Sequence, residues 1–189
     1  MRFVGIDPST KTGFVALDEA GNVLREKELT GVGSADPRRM VTMIDEIMVH
    51  LQPEDVVCIE GFGFASQQAV QNGGIGWGIR MAMFRRGWKY TEIAPNTLKS
   101  FIGCTGWTGE KGNKTRLKGK AKKQEVLDAV ESLYGYRHSS DNVTDAYVLA
   151  QIARAMHKRG LILPNQQEIV ANILGVTKTV KKTKKTKVS

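Results

Sequence analysis

Long apolar runs are missing from this sequence of 189 residues. No stretch approaches the roughly 18 consecutive apolar residues that mark a membrane span. The amino terminus runs straight into a short apolar strand, without the charged, apolar and small-residue layout of a secretory leader. Cysteine is almost absent. Cys58 lies in an apolar run and Cys104 in a glycine-containing turn, without CxxC spacing or the dense framework of small secreted domains. A soluble protein of a reducing, cytoplasmic compartment is therefore expected. The three histidines carry little: His138 precedes a predicted helix start, where a surface role is the better reading than proton transfer, and His50 and His157 give no signal. There is no internal repeat. Acids are outnumbered, 19 against 28 Lys and Arg, for a formal net charge of +9. The six lysines between Lys178 and Lys187 account for two thirds of that excess, so a polyanionic partner is suggested mainly by the tail.

With 41% hydrophobic residues, the chain can fill one core. Residues 2–7, 13–18 and 23–29 are short β-branched and apolar runs separated by turns, which predicts a three-stranded antiparallel meander. After Pro37 the period changes: Met40, Met43, Ile44, Ile47, Met48 and Leu51 follow helical spacing. Residues 55–60 then form a continuous apolar run ending in Glu60, as expected of a central strand covered on both faces. A helix is predicted over residues 67–86 despite Gly73, Gly74, Gly76 and Gly78, whose presence suggests close backbone approach. A fifth strand over 89–94, a short helix opened by Pro95, a basic loop to Gly119 and two amphipathic helices over 121–134 and 141–157 follow. The expected fold is α/β, a mixed five-stranded sheet flanked by helices.

Three acids end strands or enter helices where they can converge: Asp7, Glu60 and Asp145. Asp141 lies one helical turn before Asp145, on the same face, and Asn142 is three residues before it. Each has a structural reading too. Asp7 before Pro8-Ser9-Thr10 can form an Asx-turn, Glu60 can simply end its strand, and Asp141 can favour a helix start. Asp145, among Val143, Ala146, Val148 and Leu149, is costly without a partner. Paired carboxylates of this kind suit hard divalent cations that hydrolyse phosphodiesters.

Gly5-Ile6-Asp7-Pro8-Ser9 with Gly13, Ile59-Glu60, the run from Gly119 to Val126, and Asp145-Ala146-Tyr147-Val148-Leu149-Ala150 resemble, in order and spacing, the motifs of the RuvC-type Holliday junction resolvases of the ribonuclease H-like superfamily. The resemblance spans residues 2–156. It implies a ribonuclease H-like nuclease domain over 1–160, followed by a C-terminal extension over 161–175 and a basic tail over 176–189. It also implies that Asp7, Glu60, Asp141 and Asp145 bind two Mg2+ or Mn2+ ions, and that a homodimer acts on branched DNA. The sequence departs from the family in three places. Family members commonly carry Asp or His three before the last acid, where this chain has Asn142; Ser9 replaces a glycine; and Thr105 to Leu117 is longer than the family loop.

The DNA-facing candidates are Lys111, Lys114, Arg116, Lys118, Lys120, Lys122 and Lys123, together with Lys99 in the short helix. Phe62 and Phe64, directly after Glu60, are candidates for stacking on opened bases, with core packing the alternative. Trp107 in the basic loop can stack too, whereas Trp77 and Trp88 are expected to pack on the helix and strand. Other readings are a flap or fork nuclease without strict junction specificity and a DNA-binding protein that has lost cleavage. A sugar-kinase or actin-like ATPase needs a second domain and a later glycine-rich adenosine segment, and the chain has neither.

Overall fold

The computed structural model describes residues 1–63, 68–110 and 112–176. Five strands form one sheet in the order β3-β2-β1-β4-β5. β1 (Phe3–Asp7), β2 (Thr12–Leu17) and β3 (Val23–Leu29) make the expected antiparallel meander, and β4 (Val56–Glu60) and β5 (Tyr90–Ile93) continue it in parallel with β1. The helices are α1 (Arg38–His50), α2 (Ala69–Arg85), α3 (Pro95–Phe101), α4 (Gly119–Tyr134), α5 (Asp141–Met156) and α6 (Gln166–Ile173). Among the described residues no helix is long and apolar enough to cross a membrane.

Strand periodicity divides the core into two layers. Val4 and Ile6 of β1, Phe14 and Ala16 of β2, and Val57 and Ile59 of β4 face α1 and α2, where they meet Met43, Ile47, Ile75, Ile79 and Met83. The alternate residues Phe3, Val15, Leu17 and Cys58 face α5, with α3, α4 and α6 around it. α5 is buried on nearly every side, from Val143 to Ala155. The sequence pattern assigned it as amphipathic; it is instead a central helix wedged between the sheet and three other helices.

Two glycines let α5 lie that close. A Cβ on Gly5 would stand 1.9 Å from the Ala146 carbonyl oxygen, and one on Gly13 would stand 2.0 Å from that of Asn142. The glycines of α2 serve in part the same purpose: Gly78 faces Ile44 of α1 and Gly76 faces Phe62, while Gly73 is open.

Two features go beyond the predicted elements. The basic loop contains a small hairpin, β6 (Trp107–Thr108) paired with β7 (Thr115–Arg116). The extension after residue 160 contributes α6, which docks through Gln166: its side-chain amide donates to the Phe101 carbonyl at 3.0 Å and its Oε1 accepts from the amides of Ile162 and Leu163. Val170 joins the core beneath it.

Because backbone, not a pliable side chain, opposes the missing Cβ, Gly5→Ala should cost about 1–3 kcal/mol or more in denaturant unfolding. Gly73→Ala, in open space within a helix, should instead add about 0.5–1 kcal/mol. Equal effects of the two substitutions would refute close packing of α5 as the reason for Gly5.

Candidate active site

Strand parity places the first two acids. Asp7 shares its face of β1 with Phe3 and Gly5, and Glu60 shares its face of β4 with Cys58, so both point to the α5 side. β1 and β4 are parallel neighbours with Ile6 opposite Ile59, which sets Asp7 beside Glu60 at the carboxyl end of both strands. Asp145 descends on them from the first turns of α5, whose start is fixed by its own caps. The Ser140 hydroxyl accepts from the Val143 amide at 3.4 Å, the Thr144 hydroxyl donates to the Ser140 carbonyl at 3.0 Å, and His138 Nδ1 accepts from the Ser140 amide at 3.0 Å. His138 is half-buried beside the helix start, where the sequence reading favoured a surface histidine.

The three carboxyls interact. Asp7 is buried and its carboxyl is pushed well up, first by burial and then by the charges of Glu60 and Asp145. A hydrogen bond between the two carboxyls pushes Asp7 further up and Glu60 down. Burial also raises Glu60, opposed by that hydrogen bond and by the Lys99 ammonium. Asp145 is pushed up to about 7, by burial and by Glu60, with Lys99 opposing. Among the described residues none of the three forms an ion pair, and no three His, Cys, Asp or Glu side chains are already gathered into a metal cage. What the site offers is an all-oxygen donor set short of positive charge, the chemistry that hard divalent cations satisfy.

Asp141 is placed differently. It sits at the first position of α5 within electrostatic reach of Asp7 and Asp145, but its carboxylate is half-exposed and paired with the Lys123 ammonium. Asn142 lines the same cleft as Asp7, Glu60 and Asp145. That cleft, about 760 Å³, is also lined by Ser9, Phe62, Trp77, Lys99 and Lys123.

Phe62 lies at the cleft rim, half-buried, stacked on Trp77 at 5.3 Å between ring centroids and under the Arg80 guanidinium at 4.3 Å. Trp77 thus belongs to the cleft and is 56% exposed, contrary to the expectation that it packs on the helix and strand; only Trp88 does so. Arg80 was not anticipated. Fully buried, it donates to the carbonyls of Glu60 (2.9 Å) and Gly76 (3.0 Å) and pairs with Glu92 (2.7 Å), fastening the end of β4 to α2 and β5. The signal was present in the sequence: Arg80 is the one charge between Ala69 and Phe84.

The basic candidates separate into two groups. Lys99 and Lys123 line the carboxylate cleft, and Lys99, Lys122 and Arg116 line a neighbouring one. Lys114, Lys118 and Lys120 are exposed and are not among the residues lining either. Phe64 and Lys111 lie outside the described residues, as do the tail lysines.

No family model and no curated protein sequence matches the chain. Solved structures do match. Thermus thermophilus RuvC in complex with Holliday junction substrate is similar at 16% identity over 94% of this chain and 99% of that one, with a TM-score of 0.54. A second Thermus thermophilus RuvC structure matches at 18% identity over 84% of this chain and 98% of that one, with a TM-score of 0.55. The shared property is the fold, the mixed five-stranded sheet flanked by helices that was expected from the sequence.

Because the folded state raises the Asp145 carboxyl from an ordinary value near 3.8 to about 7, it binds a proton that the unfolded chain has lost across that interval. This contribution to stability is complete below pH 4 and is lost as the pH climbs through 7; Asp7 and Glu60 act in the same direction. In chelator, Asp145→Asn should therefore flatten the decline of Tm between pH 5 and pH 8 and raise Tm at pH 8. An identical decline in the variant would show that the Asp145 charge is not a source of strain.

Proposed function

We propose that this chain is a metal-dependent endonuclease that cuts branched DNA, four-way junctions foremost, by paired nicks from a homodimer. The observation that carries the reading is the convergence of Asp7, Glu60 and Asp145, from three separate elements, at the floor of a cleft whose walls carry lysines and stacked aromatics. The likeness of the whole chain to a RuvC structure holding a Holliday junction supports the choice of substrate.

Asp7, Glu60 and Asp145 would hold two Mg2+ or Mn2+ ions, with Asp141 or Asn142 completing the set. Such ions, when bound, activate water and stabilise the leaving oxygen. The rest falls to the chain. Lys99, at the cleft wall, is placed to hold a phosphate beside the carboxylates, and Lys123 can exchange Asp141 for a phosphate oxygen when DNA arrives. Lys122 and Arg116 extend the basic surface, and Lys114, Lys118 and Lys120 add phosphate contacts farther out. Phe62 and the exposed Trp77, stacked on one another beside Arg80, place aromatic surface at the mouth of the cleft for a base that has left its stack. Residues 1–160 form the nuclease domain, 161–175 an extension docked through Gln166, and 176–189 a basic tail that adds nonspecific affinity. Two free cysteines, both buried, accord with a cytoplasmic setting.

The dimer has its own support. Val70, Trp77, Met81 and Phe84 follow one another at intervals of seven, four and three along α2 and are 89%, 56%, 50% and 82% exposed. That is a continuous apolar stripe on one helix face, suited to a self-complementary two-fold contact.

Asp7→Asn, Glu60→Gln and Asp145→Asn should each abolish metal-dependent cutting of a four-way junction, by about a thousandfold or more, while leaving junction binding within a few-fold. Asp141→Asn should weaken metal dependence more than Asn142→Ala. Flap, three-way and linear substrates run in parallel identify the preferred shape, and near-normal turnover in any of the first three variants would sink the site assignment.

Phe84→Glu should convert a dimer to a monomer in analytical ultracentrifugation and uncouple the two nicks. A wild-type chain that sediments as a monomer at micromolar concentration would remove the homodimer from the reading.

A further inference from the structure

The hairpin β6–β7 forms one wall of a second cleft, about 640 Å³, next to the carboxylate cleft. Lys99 lines both. Beyond Lys99, the second cleft is lined by Asn96, Arg116, Lys122, Asn165 and Trp107. Trp107 lies directly across the hairpin from Arg116 and is 49% exposed. An exposed indole beside a guanidinium and two ammonium groups, with side-chain amides at the rim, matches the chemistry of a nucleotide: a π-face for the base and cations for the phosphate. The lining contains no carboxylate, so it suits an anion.

The hairpin is held in place, which distinguishes it from a loose basic loop. The Glu125 carboxylate of α4 accepts from the amides of Thr105 (3.2 Å) and Gly106 (3.2 Å). The Leu117 amide closes onto the Gly106 carbonyl at 2.8 Å. The Thr105 hydroxyl donates to the Trp107 carbonyl at 3.3 Å and accepts from its amide at 3.2 Å. The backbone carrying Trp107 is thus tied to α4, the helix that also carries Lys122 and Lys123, so the point from which the indole projects is fixed relative to that helix.

We propose that Trp107 and Arg116 form a subsite for one unpaired nucleotide of the DNA strand that leaves the carboxylate cleft past Lys99, with the base stacked on the indole and the phosphate held by Arg116 and Lys122. A base inside a duplex has both faces covered by its neighbours. Only a base out of the stack can take the indole, so the subsite selects branched or distorted DNA over a continuous duplex. This inference rests on the reading of the chain as a branched-DNA nuclease and adds to it a residue that senses an opened base at a distance from the cut.

The test uses the full chain carrying Glu60→Gln, so that bound DNA stays intact, and two fluorescent DNAs of the same sequence: one branched, with an unpaired 2-aminopurine flanking the junction, and one a linear duplex. Trp107→Ala should weaken binding of the branched DNA about tenfold and leave the duplex within twofold, and Trp107→Phe should restore most of the loss. The 2-aminopurine signal should be quenched by the intact chain and by Trp107→Phe, and not by Trp107→Ala. An equal loss on both DNAs, or quenching that survives Trp107→Ala, would overturn the proposal and leave Trp107 as packing on its own hairpin. If the chain bound neither DNA, the nuclease reading itself would fall. If branched DNA were bound as tightly with Trp107→Ala as without it, the subsite alone would fall.

Discussion

The structure depends on one contact: α5 lying against β1 and β2 with almost no distance between backbones. At Gly5 and Gly13 a single methyl group would enter the helix backbone. That proximity brings Asp145 down to the level at which β1 and β4 end, and turns three acids distant in sequence into one electrostatic unit. It also explains why α5 is buried on nearly all sides: the helix acts as a second floor of the core, with α3, α4 and α6 packed beyond it. The pKa displacement of Asp145 follows from the same contact, because a carboxyl on a helix so deeply seated loses its hydration as it gains two acidic neighbours.

Much of this was legible beforehand because strands obey a period of two. Asp7 and Glu60 follow their apolar runs with the parity that puts each on the α5 face, and the parallel pairing of β1 with β4 does the rest. The meander, the central strand and the order of helices were all readable from periodicity and turn residues. Three things were not. α5 reads as amphipathic because Gln151, Arg154 and Asp145 interrupt it, yet Gln151 and Arg154 are buried in a network with Tyr147 and the Glu19 carbonyl. The β6–β7 hairpin has only two residues per strand, below any periodic signal. α6 is short and its sequence, rich in Gln and Asn, shows little core pattern until Gln166 finds its backbone partners.

The site was legible in its acids and less so in its supports. Arg80 lines the cleft of the carboxylates and grips the carbonyl of Glu60 and the ring of Phe62 at once. The sequence marks Arg80 as the one charge between Ala69 and Phe84, but not that its partner is the end of β4. Trp77 misled for a related reason. An indole in a glycine-rich helix suggests packing, and here its packing partner is Phe62, at the surface of the cleft. The ambiguity between Asp141 and Asn142 has a geometric form: Asn142 lines the cleft with Asp7, Glu60 and Asp145, while Asp141 is paired with Lys123 on the neighbouring helix.

The anchoring of the hairpin through Glu125 sets the second cleft apart from the carboxylates. The carboxylates stand on β1, β4 and α5, the packed centre of the molecule, whereas the hairpin lies between α3 and α4 in the chain and is tied to α4 through Glu125. Its length, its aromatic and its charges can be exchanged while the central packing at Gly5 and Gly13 stays untouched. Such a layout lets the surface around the second cleft drift under selection while the carboxylate cluster stays fixed, so chains sharing this fold can differ in what they bind beside a common centre.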